Sequence, residues 1–504
     1  MAGFDVLVIG AGSAGSVVAA RLSEDPALSV GLIEAGGMPS DPDITAPAQW
    51  PFLQGRSYDW AYRTVPQPGT AGRAHDWPRG RVVGGSSCLH AMAHVRGHPD
   101  DFAPWAAAGG PGWSYDALLP AFRRSERFSG GASAMHGDTG PLDVLLPDEQ
   151  IHPLVRGYME SGLAIGAPRL GDHNAGPLAG VAPNQLTIRD GRRVSVADAY
   201  LAPVLGRPNL TVLTGVLVHD LVLGSGQARG VRVTRDGAEE IVTADRIVVC
   251  AGAVASPLLL MRSGIGDPEV LRGAGIPCRH ELPEVGRNLH DHLLAAGNVY
   301  RASRPVAPSR LQHSESLMYL HSDDPSRAEG APDVVLACVV LPVVTEAFDR
   351  PAAGSAFTIM CGVTHPTSRG TIRPGGPSVA DAPVIDPAYL STEDDRRTFR
   401  AALRLARRVG RAAPLSGWSD GELLPGPGVE AIADLDAFLA RAAMTHHHPV
   451  GTCSLGPVVD GALRVRGIDG LFVVDASVIP AIPSGPINAA VVAIAELWAA
   501  DRGR

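Results

Sequence analysis

Residues 445–453 run Thr445-His446-His447-His448-Pro449-Val450-Gly451-Thr452-Cys453, three consecutive histidines closed by a proline. Imidazole has an ordinary pKa of about 6.5, so it takes up and releases a proton near neutral pH, and it is also a common metal ligand. The run therefore admits a catalytic base with company, a metal site or a solvated polar turn. Consecutive side chains splay to different sides of the backbone, and no HExxH or paired Cys/His spacing accompanies them, so no metal is expected. His446 and His448 lie two apart, and an extended backbone would turn both to one face, leaving His447 a structural role. Asp291, His292, His313 and Arg369 are further polar candidates, each read as structural.

A second chemical signal opens the chain. Residues 4–9 (Phe-Asp-Val-Leu-Val-Ile) read as a strand and run into Gly10-Ala11-Gly12-Ser13-Ala14-Gly15. A helical stretch, 16–22, and a second strand, 28–33, follow, and the strand ends at Glu34. Strand, glycine turn, helix, strand and acid, in that order, make a dinucleotide site. Gly10 makes the tight turn, Gly12 admits a pyrophosphate to the backbone, and Gly15 lets helix and strand pack closely. The helix N-terminus favours phosphate charge, and Glu34 suits a free ribose, which disfavours NADP. Residues 36–78, rich in Pro, Trp and Tyr, form a long excursion rather than another βαβ unit, so an NAD-type half does not continue there. A second glycine surface follows at Gly84-Gly85-Ser86-Ser87. Strand 247–250 re-enters the same layer through Gly252, and strand 470–475 ends at Asp475.

These elements place the histidine run in a chain of 504 residues, too long for one simple core. The expected fold is α/β: a Rossmann-like dinucleotide-binding domain plus a substrate domain built as a sheet with helices on one side. The first comprises 1–150 (with the excursion 36–78), 191–292 and 445–504; the second comprises 151–190 and 293–444. A net charge of -9 with no polybasic run argues against nucleic acid. Six scattered cysteines without a CxxC pair, no leader-like N-terminus and no apolar stretch of spanning length point to a soluble, cytoplasmic protein with no membrane partner. No heptad repeat or terminal arm bears on oligomeric state, and a monomer is compatible with the chain.

Several long motifs in order then carry a likeness. Residues 80–90 and 252–266, the His-Pro-Val-Gly-Thr run at 448–452, and Val474-Asp475-Ala476-Ser477 resemble the signatures of the glucose–methanol–choline (GMC) family of flavin oxidoreductases over essentially the full length. The resemblance implies an α/β fold made of a Rossmann-like FAD-binding domain plus an α+β substrate domain with an antiparallel sheet, and it implies FAD. Its adenine end would be held by Gly10, Gly12, Ser13, Ala14, Gly15, Glu34, Ala35 and the backbone of Val218. Its flavin end would be held by Trp60, Val83, Gly85, Ser87, Leu89, His90, Asp475, Ala476 and Asn488. Leu89 stands where some members carry a histidine that attaches FAD covalently, so the cofactor is expected to be non-covalent. The base position falls on His448, with His446 assisting. Opposite it, where many members have Asn or His, stands Pro486, which has no proton to exchange. Within the family, the runs 86–92, 311–316 and 364–370 and the triple histidine carry a closer likeness, and the reaction it implies is oxidation of a small aromatic primary alcohol, pyridoxine being the expected one, to its aldehyde, with oxygen reduced to hydrogen peroxide. The alternatives are another aryl, furan or aliphatic alcohol, a dehydrogenase passing electrons to a quinone or dye, and a hydroxynitrile-lyase-type enzyme without redox turnover.

Overall fold

The structure, a computed structural model, describes residues 3–502. The run Phe4–Ile9 forms strand β1, buried at its core-facing end, and Val30–Glu34 forms β2, buried throughout. Between them Ser13–Leu22 is helix α1. Apolar β-branched runs of this length suit strands covered on both faces, which is how parallel sheets sit.

Five strands run parallel in the order Leu210–Thr214, β2, β1, Ala238–Val249 and Leu471–Val473. The N-terminal half of Ala238–Val249 turns away to pair antiparallel with Gln227–Arg235, which pairs in turn with Leu217–Gly224. The hairpin read from Gly224-Ser225-Gly226 forms there: Ser225 and Gly226 both take positive φ. After β2 the next strand to join this sheet is Leu210–Thr214, so residues 36–78 are indeed an excursion and add no βαβ unit.

A second sheet of eight strands is antiparallel at every pairing. It draws its strands from Gly180–Pro183, from several segments between 293 and 424, and from Ala443–Thr445. The amphipathic helix Glu393–Arg411 packs on it, as its helical pattern in the sequence predicts. Trp105 and Trp113, read as packing residues of a helical region, are 1% and 4% exposed, and lie on two short helical segments rather than one helix. No helix among the described residues is long and apolar enough to cross a membrane.

One register detail organises the site. Leu293 lies opposite Val363 on one side and Thr445 on the other. Positions 292, 364 and 446 are each one step beyond these partners, so residues far apart in sequence emerge together at one end of three adjacent strands.

Candidate active site

At that strand end the histidines meet. His446 leaves strand Ala443–Thr445 with its N–H donating to the His292 carbonyl at 2.9 Å. His447 then adopts φ 65°, the left-handed region that a non-glycine residue occupies only when its surroundings hold it there. Two bonds hold it. Its N–H donates to Thr445 Oγ1 at 2.8 Å, and its carbonyl accepts from Arg79 Nη1 at 3.0 Å. The kink corrects the expectation of an extended run: His446 and His448 do share a face, with ring centroids 4.4 Å apart, but a left-handed turn brings them there. His447 shapes the turn through its backbone N–H and carbonyl.

His448 is fixed at both ends. Its backbone N–H donates to Asp291 Oδ1 at 2.7 Å, and its Nδ1 lies 3.0 Å from His292 Nδ1. The other oxygen of Asp291 accepts from Tyr389 Oη at 2.5 Å and Thr445 Oγ1 at 2.6 Å. Burial pushes the Asp291 carboxyl up, against these donors and the nearby Arg79 charge. His292, 3% exposed, places its Nε2 2.9 Å from the Thr364 carbonyl. The ring nitrogens of His292, His446 and His448 lie within 4.8 Å of one another. The local argument against a metal did not foresee this third imidazole, which the sheet register delivers from 154 residues away in sequence (446 minus 292). The 3.0 Å Nδ1–Nδ1 contact has the length of a hydrogen bond.

Burial lowers every histidine here. His292, His446 and His447 are pushed down to about 3, and His448 well below its ordinary range, with neighbouring imidazoles and Arg79 adding to the effect. His90 and His290 are likewise pushed down to about 3 by burial. A consequence for stability follows by linkage. Such a histidine binds its proton only once unfolded, so its contribution is complete above the usual histidine value of about 6.5 and is lost as pH falls towards 3. The thermal midpoint is expected to fall steadily from pH 6.5 to pH 5; a flat profile over that window would contradict the neutral cluster.

Of the remaining candidates, His313 uses Nε2 on the Ala48 carbonyl, and Arg369 binds Asn288 and the carbonyls of Pro366 and Ser368. Pro486 is buried on the loop before helix Asn488–Arg502 and brings shape rather than a proton. Two residues earlier, Ser484 Oγ donates to Asp101 Oδ1 at 3.0 Å, and His365 Nε2 shares that oxygen at 2.8 Å. The sequence assigns no role to Arg79, Thr364, Tyr389 or His365, although Thr364 and His365 fall in the run 364–370 that shares the family likeness.

The glycine surfaces lie against one another. Gly10 and Gly85 take positive φ, and a Cβ on Gly85 would sit 2.7 Å from Gly12 Cα. A Cβ on Gly15 would meet the Gly10 carbonyl oxygen at 1.8 Å, so the close helix–strand packing is real. Gly12 caps the N-terminus of α1, and Ser13 Oγ donates to Asn488 Oδ1 at 2.7 Å, so two helix N-termini meet there. Glu34, 6% exposed, accepts from Ala11 N at 2.9 Å and Gly36 N at 2.8 Å, and burial pushes its carboxyl up. A cavity of about 370 Å³ opens beside Ala35, lined by Gly36, Met38, Tyr58 and Arg81. Val218 follows the turn in which Val216 N donates to the Glu34 carbonyl.

Val83 and Gly84 pair with Gly37 and Ala11 through backbone N–H groups, and Ser87 Oγ donates to the Gly84 carbonyl at 2.6 Å. Leu89 is 6% exposed and hydrocarbon, with no nucleophile for a covalent link. His90 Nδ1 accepts from Met92 N and Arg193, and its buried Nε2 has no protein partner. Trp60 stacks on Tyr62, and the Arg81 guanidinium lies over the Trp60 ring. Asp475 accepts from Gly252 N at 2.8 Å, Ser256 Oγ and Ser477, tying helix Gly252–Arg262 to the Ala476 turn. Ala14 and Ala476 are buried. A side-chain-free cradle at helix N-termini, with a buried acid and an unpartnered imidazole along it, fits a flavin dinucleotide.

Comparison with known proteins agrees. Residues 4–294 and 366–495 match the two GMC oxidoreductase family profiles. The chain is 52% identical to pyridoxine 4-oxidase of Microbacterium luteolum over 502 residues, covering 98% of this chain and 99% of the relative. It is 36% identical to mouse mitochondrial choline dehydrogenase, covering 98% and 88%. The crystal structure of pyridoxine 4-oxidase from Mesorbium loti superposes with a TM-score of 0.97 at 53% identity, covering 99% of each chain. With its two family regions and a full-length fold match, the chain belongs to the GMC oxidoreductase family.

Proposed function

We propose that the protein is an FAD-dependent oxidase that converts the primary alcohol of pyridoxine to the aldehyde, pyridoxal, with oxygen reduced to hydrogen peroxide. The observation that carries this is His448, held by its backbone N–H on Asp291 and its ring on His292 at one edge of the substrate sheet, in a chain 52% identical to a pyridoxine 4-oxidase along its whole length. In this reading residues 1–150, 191–292 and 445–504 hold the cofactor, and 151–190 and 293–444 hold the alcohol.

The α1 N-terminus and the Gly10–Gly15 backbone receive the pyrophosphate, and Glu34 keeps lone pairs for the ribose hydroxyls beyond those its two backbone donors use. Ala35 and Val218 would flank the adenine end, and Trp60, Val83, Gly85, Ser87, Leu89, His90, Asp475, Ala476 and Asn488 would hold the flavin end. When bound, FAD would supply the acceptor for the carbinol hydrogen with its electron pair and the route of both electrons to oxygen. The hydroxyl proton goes to the imidazole of His448, which burial keeps neutral and so ready to accept it. His446, with a buried Nδ1 that has no protein partner, faces the same space and binds the substrate or biases the oxygen step. Pro486 replaces a second proton-handling group by an apolar wall. The protein works in the cytoplasm.

The test is turnover in air with pyridoxine, benzyl alcohol and hydroxymethylfurfural in turn, measuring aldehyde and peroxide. The expected result is pyridoxine as the preferred alcohol by kcat/KM, with one peroxide formed per aldehyde. Aldehyde formed only when a quinone or dye is added would make the protein a dehydrogenase, and preference for another alcohol would displace pyridoxine.

A further inference from the structure

The hydrogen positions on two rings follow from their partners. The Thr364 carbonyl can only accept, so His292 Nε2, 2.9 Å away, must carry hydrogen. His292 is 3% exposed, and burial keeps it neutral, so its single ring hydrogen is spent there and Nδ1 is a bare lone pair. His448 Nδ1 lies 3.0 Å from that lone pair. Two lone pairs do not face each other at hydrogen-bond distance, so His448 Nδ1 carries hydrogen and donates it. A neutral His448 then has an unprotonated Nε2. Free histidine favours the other tautomer, with hydrogen on Nε2, which would block the atom a base needs.

We propose that His292 is a positioning residue: it holds His448 in the Nδ1–H tautomer, so that Nε2 of His448 is the atom that takes the substrate's hydroxyl proton. The inference rests on the reading of His448 as base. The sheet register builds this chain of groups, because Leu293 sits between Val363 and Thr445 and so sets His292 between Thr364 and the histidine run. When Nε2 takes the proton, His448 still donates through Nδ1 to His292. The chain of groups ends at His292, because the Thr364 carbonyl beyond it has no place for a proton. His292 thus orients the base as a carboxylate does elsewhere, but adds no negative charge, so the imidazolium is held weakly and returns its proton readily.

Two polar replacements of similar size separate this role from packing. Asn places its amide oxygen near the position of the imidazole Nδ1 and can still accept from His448. Gln places its amide near the Nε2 position, towards Thr364, and leaves His448 Nδ1 without an acceptor. The experiment is anaerobic stopped-flow reduction of the flavin by pyridoxine in the holoenzyme, for His292→Asn, His292→Gln and His448→Ala. His292→Gln is expected to lower the limiting reduction rate about tenfold or more while the substrate Kd and flavin absorbance stay within about twofold, and His292→Asn to recover most of the rate. In ring-15N histidine-labelled protein, the signal absent from His448→Ala is expected to be an Nδ1–H tautomer in the wild type and to shift towards Nε2–H in His292→Gln. Equal rates for Gln and wild type, Asn as slow as Gln, or an Nε2–H signal in the wild type would each overturn the proposal. If His448→Ala is slow in those cases, the base reading stands; if His448→Ala reduces at the wild-type rate, the base reading itself falls.

Discussion

His448→Ala is expected to keep FAD with an unchanged visible spectrum and to lose flavin reduction by pyridoxine by about 10²- to 10⁴-fold, the usual worth of a positioned acid–base group. The two halves of this expectation have separate causes. The residues proposed to hold the cofactor belong to the glycine cradle and to Glu34, whose carboxylate is already anchored by Ala11 and Gly36, and none of these bonds involves His448. The loop itself survives the change, because Asp291 holds position 448 through the backbone N–H, which alanine retains. What disappears is the imidazole that pairs with His292. Its low pKa works in its favour at neutral pH, since burial and the surrounding imidazoles prevent it from being protonated before the alcohol arrives. A loss smaller than about tenfold would move the proton to another group, and His446 is the next candidate.

Asp291→Ala is expected to be more damaging than any single histidine change outside position 448, in both stability and rate. Alanine would leave three donors unanswered: Tyr389 Oη, Thr445 Oγ1 and the His448 N–H. Each buried orphan costs about 1–3 kcal/mol, and the buried Arg79 charge nearby loses its carboxylate as well. A drop in the thermal midpoint is therefore expected together with a flavin-reduction rate approaching that of His448→Ala, since the backbone at 448 loses its anchor. Asp291→Asn retains shape and one acceptor and is expected to fall between the two. A variant that melts and turns over like the wild type would mean that Asp291 neither anchors the run nor positions the base.

How much of this was legible in the chain depends on distance along it. The Gly10–Gly15 turn, Glu34, the Gly84-Gly85 pair and the helix Glu393–Arg411 declare themselves within a few residues of one another, because turn geometry and helix periodicity are local. The excursion 36–78 could be recognised by its lack of any period. The meeting of His292, Thr364 and His448 could not. It is set by the pairing register of three strands that lie about seventy to eighty residues apart in sequence, and nothing near any one of them encodes the other two. His446 and His448 were placed on one face for an inexact reason: strand alternation suggested it, but the left-handed His447, clamped by Thr445 and Arg79, achieves it. Asp291 and Tyr389 were hidden for the same cause, since an acid beside a histidine acquires meaning only when its oxygens are seen to collect donors from 389, 445 and 448.

The central claim is that this chain removes a hydride and a proton from pyridoxine at one site. Anaerobic mixing of the FAD-loaded protein with excess pyridoxine tests it most directly. The account predicts complete bleaching of the oxidised flavin band, one pyridoxal per flavin, and recovery of the band with one peroxide when oxygen is admitted. A flavin that stays oxidised with pyridoxine bound would contradict it, and would leave the scaffold to another alcohol or to chemistry without redox turnover.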